Sequence, residues 1–131
     1  MKVDIVDGEI SSESTCEFIY LTDVVKVNIK NTDMVYTGGG LNQSSFLRIE
    51  NNYDDRAIED NIFEGGKNGI IIQSLTPVSQ PVFISGNTME GYGAEFGLSI
   101  TNNTGSIKLK GNIINNYDYN TEGYGILASN N

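Results

Sequence analysis

The sequence contains no histidine and only one cysteine, and these two shortages exclude several kinds of chemistry. Without histidine the chain has no Ser-His-Asp or Cys-His relay and no imidazole ligand for a metal ion. The single cysteine, Cys16, forms neither an intrachain disulfide nor a cysteine-ligated zinc or iron–sulfur site. Because Cys16 borders an apolar run, we interpret it as an unreactive thiol close to the core.

Basic residues are also scarce: 8 Lys+Arg stand against 17 Asp+Glu, which gives a formal net charge of -9. Since phosphate binding relies on lysine and arginine, this acidity argues against nucleic acid and anionic membranes as partners. No targeting segment is visible, and no apolar run approaches the roughly 18 residues of a membrane span, so we expect no membrane insertion. The 131 residues allow one domain, residues 1–131, with a thin or elongated core.

Helical periodicity is absent as well, and an internal repeat takes its place. Five segments share two apolar positions separated by one residue, with a further apolar residue five positions later; only Arg56 breaks the first column. The segments are Val3-x-Ile5-x4-Ile10, Val27-x-Ile29-x4-Met34, Arg56-x-Ile58-x4-Phe63, Val82-x-Ile84-x4-Met89 and Ile107-x-Leu109-x4-Ile114. Their central residues, at positions 5, 29, 58, 84 and 109, are 24, 29, 26 and 25 residues apart.

A second apolar pair follows each of these segments with the same period of two, which is the period of strands and not of helices. Each repeat therefore predicts two or three short strands, and the repeats start near residues 3, 27, 56, 82 and 107. The second pairs are Ile19/Leu21, Leu47/Ile49, Ile70/Ile72, Leu98/Ile100 and Ile126/Ala128.

Asparagine, at 16 positions, and glycine, at 15, partly follow the same repeat. Asn61, Asn87 and Asn112 occupy one position of three repeats, where we expect left-handed backbone angles at a bend and amide side chains that pair between repeats. Glycine precedes the second apolar pair in the same repeats, which predicts another corner at Gly69, Gly97 and Gly125. An antiparallel sandwich is the alternative, but hairpins give no reason for like residues to recur one repeat apart.

The I-x-x-N-x-[FMI] and G-[IL]-x-[IA] patterns of the last three repeats, as in Ile58-Glu59-Asp60-Asn61-Ile62-Phe63, resemble the right-handed parallel β-helix. This is the fold of the pectate-lyase-like superfamily and of many phage tailspikes. The predicted fold is therefore all-β, a right-handed parallel β-helix solenoid of about five coils. No capping segment is evident, so we expect a longer parent chain or self-association to cover the open ends.

The resemblance implies chemistry in a groove beside one parallel sheet, performed by Asp and Glu, often with calcium, and with Arg or Lys as base. An enzyme of this kind would be a polysaccharide lyase or a glycoside hydrolase. One acidic cluster is the leading candidate for such a site, and a solvated turn is the alternative interpretation. Ser85 and Lys110 align with Glu59 of this cluster, so no acidic column forms. We therefore do not identify the chain as an enzyme. The cluster consists of Asp54, Asp55, Arg56, Glu59 and Asp60.

Glu64 and Glu90 align one repeat apart and are the candidate ligands for a calcium ion, with simple exposure at a turn as the alternative. No other cofactor is expected.

Aromatic residues suggest a further site. They are predicted to form a strip on which sugar rings stack, or else a ladder that packs one coil on the next. The function favoured is polysaccharide binding or processing by a surface, secreted or phage tail-type protein, located outside the cell, on its surface or on a virion. The alternative is a non-catalytic structural or assembly segment of a fibre or adhesin. The strip consists of Tyr92, Phe96, Tyr117, Tyr119 and Tyr124.

Overall fold

A computed structural model provides the structure of the chain. It describes residues 2–14, 17–23, 26–38, 45–51, 56–65, 68–74, 81–90, 96–104, 106–115 and 124–129, without the side chains of Arg56 and Tyr124. Cys16 lies outside these ranges. Every regular element within them is a β-strand, and this part of the chain contains no helix that is long and apolar enough to cross a membrane.

The described residues form fifteen short strands. In chain order these are β1 (Lys2–Val6), β2 (Glu9–Ser12), β3 (Glu17–Thr22), β4 (Lys26–Lys30), β5 (Asp33–Tyr36), β6 (Ser45–Glu50), β7 (Arg56–Glu59), β8 (Ile62–Glu64), β9 (Asn68–Gln73), β10 (Val82–Ser85), β11 (Thr88–Glu90), β12 (Phe96–Thr101), β13 (Ile107–Lys110), β14 (Ile113–Asn115) and β15 (Tyr124–Ser129).

The strands form three sheets that the chain visits in strict rotation. The first sheet has the order β1-β4-β7-β10-β13, the second β2-β5-β8-β11-β14 and the third β3-β6-β9-β12-β15, and the paired strands are parallel. We number as repeats 1 to 5 the successive groups of three strands, from β1–β3 to β13–β15. Parallel stacking of every third strand is a β-solenoid, so the predicted all-β solenoid is confirmed and the antiparallel sandwich is excluded.

The predicted inward columns are also confirmed. Ile29 pairs in register with Ile5 on one side and with Ile58 on the other, and Phe63 pairs with Met34 and Met89. Side chains alternate across each strand, so these columns point between the sheets and form one continuous core. The fully buried large side chains include Ile29, Met34, Phe46, Leu47, Ile49, Ile58, Phe63, Ile70, Ile72, Ile84, Met89 and Leu98.

A two-residue turn joins the first sheet to the second in every repeat, and its first residue always has a positive φ. The φ values lie between 50° and 66°. Only glycine adopts this conformation freely, while Asn and Asp tolerate it better than other residues. In repeats 1 to 4 the N–H of this residue donates to the first-sheet strand of the next repeat, as from Asp60 to Ser85 O at 3.0 Å. The five residues are Asp7, Asn31, Asp60, Gly86 and Gly111.

The second residue of this turn carries the amide pairing that the sequence predicts. Asn61 and Asn87 are completely buried, and Asn61 Nδ2 donates to Asn87 Oδ1 and to Ile29 O, both at 2.9 Å. Asn87 Nδ2 likewise donates to Asn112 Oδ1 at 2.9 Å and to Ile58 O at 2.8 Å. We call these three residues the Asn ladder. The expected left-handed backbone, however, belongs to the preceding residue and not to the asparagines.

The predicted glycine corner is wrong, because Gly69, Gly97 and Gly125 lie inside strands β9, β12 and β15. The same position carries Phe18 in repeat 1 and Phe46 in repeat 2, whose rings lie 4.9 Å apart. Glycine is needed at position 69 because a Cβ there would clash with the carbonyl oxygen of Gly97 and lie 3.1 Å from Met89 Sδ. The reason is close packing, with no turn involved.

Substitution of Asn87 by alanine tests the Asn ladder. We expect a loss of about 2–4 kcal/mol in the free energy of unfolding, because the change leaves buried groups of Asn61 and Ile58 without hydrogen-bond partners. Urea denaturation measures this quantity. Asn115→Ala is the matched control, since Asn115 is exposed on β14 and its loss should change stability by less than about 0.5 kcal/mol. Equal effects of the two substitutions would contradict a structural role for the ladder.

The glycine column provides a second test with an internal control. Gly69→Ala should lower the free energy of unfolding by about 1–3 kcal/mol, since the added methyl group overpacks a closed interior. Gly125→Ala should be close to neutral, because a Cβ at that position meets only Ile114 Cγ2 at 3.8 Å. Thermal unfolding of the two variants in parallel makes the comparison, and a stable Gly69→Ala variant would show that the repeats are not in contact there.

Candidate functional site

The predicted aromatic strip is only partly within the described structure. Phe96 begins β12 and pairs in register with Tyr124 of β15, so their alignment is confirmed. On the other side Phe96 faces Asn68, whose side chain is buried and whose Oδ1 accepts no hydrogen bond from the described residues. Tyr92, Tyr117 and Tyr119 lie outside the described residues, and sugar binding by this strip stays a prediction.

Only part of the predicted acidic cluster belongs to the described residues. Asp54 and Asp55 lie outside the described residues, and the backbone of Arg56 pairs with Val27 in the first sheet. Glu59 points outward from the same sheet and forms an ion pair with Lys30 at 2.6 Å. Asp60 occupies the left-handed turn position. Among the described residues no three carboxylate or cysteine side chains converge on a point where a metal ion would bind.

The predicted calcium ligands are neighbours, since Glu64 of β8 and Glu90 of β11 pair in register in the second sheet. Val35 and Asn115 continue the column on either side, so no third carboxylate extends it. The alignment is confirmed. Calcium binding stays a prediction.

The outer face of the first sheet contains a feature that the sequence analysis missed: an open groove of about 700 Å³. Strand alternation places every second residue of β1, β4, β7, β10 and β13 on this face. One outward column has a carboxylate and an amide at one end, a small alanine side chain in the middle, and an aromatic ring and a cation at the other end. Its members, each in register with the next, are Asp4, Asn28, Ala57, Phe83 and Lys108.

Polar contacts organise one end of this groove. Asn28 Nδ2 donates to Asp4 Oδ1 at 2.5 Å, one repeat apart. In the neighbouring column Lys30 binds Glu59, and this hydrogen bond raises the pKa of Lys30. Lys30 therefore stays protonated well into the alkaline range. The acceptor and donor groups are held by strands of the first sheet and not by loops.

An aromatic ring occupies the other end of the groove. Phe83 is 41% exposed although it belongs to an interior strand of the sheet. Lys108 lies over this ring, with its Nζ 5.5 Å from the ring centroid, which is the geometry of a cation–π contact. Ala57 separates Phe83 from Asn28, and its small side chain leaves the depression between them.

A second polar cluster lies on the outer face of the third sheet, where charges largely satisfy one another. Tyr20 Oη donates to Glu50 Oε2 at 2.8 Å, and Arg48 contacts both Glu50 and Glu17. These bonds from Tyr20 and Arg48 lower the pKa of Glu50, and the bond to Glu50 raises the pKa of Tyr20. The side chains of this cluster bind one another, so the groove of the first sheet is the better candidate site.

Comparison of the chain with protein-family models, with curated proteins and with solved structures finds no match.

Proposed function

We propose that this chain is a polysaccharide-binding β-solenoid module and that the sugar chain lies along the outer face of the first sheet. The observation that carries the proposal is the open groove of about 700 Å³ with the exposed Phe83 ring beside hydrogen-bonding side chains. Binding sites of this kind combine apolar and aromatic lining with a few placed polar groups.

The groove offers both contacts that a sugar needs. The C–H surface of a pyranose ring packs against an aromatic face such as that of Phe83. Asn28 and Asp4 supply an amide and a carboxylate for hydroxyl groups on the same column, and Lys26 lines the groove beside them. The strip that includes Phe96 and Tyr124 is a second location for the same function.

Catalysis has weaker support than binding. Within the candidate acidic cluster, Glu59 is the described carboxylate that points outward from the first sheet, and Lys30 neutralises it. Three further predictions belong to this proposal. They are a lyase or hydrolase activity of the pectate-lyase-like kind, calcium bound at Glu64 and Glu90, and a location outside the cell or on a virion.

Phe83→Ala should weaken binding to a polysaccharide identified on a glycan array roughly tenfold, the effect of losing about 1.4 kcal/mol of stacking. Phe96→Ala is the discriminating variant, since Phe96 lies on the third sheet and should leave affinity unchanged. Affinity electrophoresis measures both. Retention of no polysaccharide by the unsubstituted chain would refute the function, and loss of binding in Phe96→Ala alone would move the site to the aromatic strip.

A structural or assembly role is the second candidate, favoured by the exposed interior of repeat 5. Leu109 is 42% and Ile126 is 52% exposed although both belong to inward columns. Together with Leu98 and Ile114 they line a hollow of about 180 Å³. An exposed core face with unpaired strand edges favours coverage by a second copy or by further coils of a longer chain.

Sedimentation velocity at micromolar concentrations tests the assembly role. We expect concentration-dependent association, because burial of these apolar side chains is favourable. Ile126→Lys should reduce this association. Ile113→Lys should not, since Ile113 is similarly exposed but lies on the outer face of the second sheet and points away from the core. A strictly monomeric profile of the unsubstituted chain would contradict self-association.

A further inference from the structure

We infer that the groove of the first sheet is selective for an elongated, negatively charged polysaccharide, one that carries carboxylate or sulfate groups. This inference rests on the proposed polysaccharide-binding function and adds the chemical class of the ligand. It is carried by the distribution of basic residues over the three sheets.

Basic residues are concentrated on the first sheet although the chain as a whole is acidic. With Arg56, whose side chain is not described, six of the eight basic residues of the sequence lie in first-sheet strands. The described strands of the other two sheets contain a single basic residue, Arg48, and it is paired with Glu50 and Glu17. The five outward lysines of the first sheet are Lys2, Lys26, Lys30, Lys108 and Lys110.

Local neutralisation does not account for these lysines. The described outward face of the first sheet carries two carboxylates, Asp4 and Glu59, against five ammonium groups. Glu59 pairs with Lys30, and Asp4 accepts a hydrogen bond from Asn28. A positive face thus remains on a molecule of formal net charge -9.

Protection of sheet edges does not account for them either. Lysine often blocks exposed edge strands, and β1 and β13 are the edges of the first sheet. The edge strands of the second and third sheets, however, contain no lysine at all. Moreover, Lys26 and Lys30 belong to β4, which has a neighbour on each side.

The spacing of the lysines favours an elongated ligand. Lys2 and Lys26 pair in register in adjacent strands at one end of the face, and Lys108 and Lys110 lie at the other end. Four strand spacings, about 19 Å, separate β1 from β13. A single sugar cannot contact both ends, whereas a chain along the solenoid axis passes over Phe83 and meets cations on either side of it.

The acidic surroundings restrict the direction of such a ligand. The strands of the second sheet carry Glu9, Asp33, Glu64 and Glu90 and no basic residue. A polyanion that left the first sheet sideways would meet these carboxylates and be repelled. The same repulsion disfavours duplex DNA, whose width and charge bring phosphates over the flanking faces.

Dextran, carboxymethyl-dextran and dextran sulfate provide a matched set of probes with one sugar backbone and different charge. Affinity electrophoresis in gels containing each polymer should retard the chain with the two charged forms and not with dextran. Retardation should decline as salt rises from 50 to about 300 mM, because ionic contacts are screened. Preference between the charged forms identifies the anion as carboxylate or sulfate.

Single-charge variants then locate the site. Lys26→Gln should weaken binding of the preferred charged dextran about fivefold, the effect of one cation near an anionic surface, and Lys108→Gln should add a similar factor. Lys67→Gln is the matched control, because it removes the same charge from the segment between β8 and β9 and should leave affinity unchanged. Thermal unfolding of each variant should match that of the unsubstituted chain.

The two levels of the proposal fail differently. Binding of a neutral polysaccharide that Phe83→Ala weakens and salt does not affect would overturn anionic selectivity and leave the proposed function intact. Equal loss of charged-dextran binding in Lys26→Gln and Lys67→Gln would overturn the location. Duplex DNA bound as tightly as the charged dextrans, with the same lysine dependence, would overturn the ligand class.

Discussion

Hydrogen bonding between successive repeats is the constraint on which the rest of this structure depends. Parallel strands pair continuously only if each repeat bends at the same place, so that no backbone group falls out of register. The bend after the first sheet begins with a left-handed residue. An inward side chain follows it in repeats 2 to 5, Thr32 in repeat 2 and the Asn ladder in repeats 3 to 5. Each ladder amide replaces the backbone partners that the turn interrupts, as Asn61 does for Thr32 N and Ile29 O.

This constraint also determines how function can be arranged on the surface. Residues one repeat apart in sequence become neighbours about 4.8 Å apart, so a surface property accumulates along a column and not within a local motif. The groove is an example. Asp4, Ala57 and Lys108 are far apart in sequence, yet one column contains them all. A ligand that follows the solenoid axis reads such a column residue by residue.

The sequence predicts the interior of this fold much better than its surface. Inward positions such as Ile5, Ile29 and Ile58 keep the same character in each repeat because all of them fill one core. Outward positions have no such requirement: Asn28, Ala57 and Phe83 share a column without sharing any property that alignment could detect. The sequence signal for this face is the recurrence of lysine on one side of the first-sheet strands, at Lys26 and Lys30 in β4 and at Lys108 and Lys110 in β13.

The sequence predicts the backbone conformation of the turns only in part, for a similar reason. Asp60 in repeat 3 and Gly86 in repeat 4 are different residue types that share a tolerance for positive φ, and the repeated asparagine that follows each of them shifts the sequence-based prediction by one residue. Glycine commonly marks turns, so its recurrence in β9, β12 and β15 predicts a corner that the structure does not have. The actual cause at Gly69, contact with the next repeat, depends on side chains such as Met89 that only the folded arrangement brings near.

The exchange of phenylalanine for glycine along the third sheet makes the repeats non-equivalent. The Phe46 ring fills the interior of repeat 2, and its centroid lies 5.8 Å from that of Phe63 in the following repeat. Gly69 and Gly97, in contrast, bring the backbones of repeats 3 and 4 into direct contact. Repeats 1 and 2 are therefore not exchangeable with repeats 3 and 4, because a phenyl ring has no room between two glycine repeats. The two ends of the solenoid therefore differ. A duplicated repeat would fit only beside a repeat that has the same residue, phenylalanine or glycine, at this position.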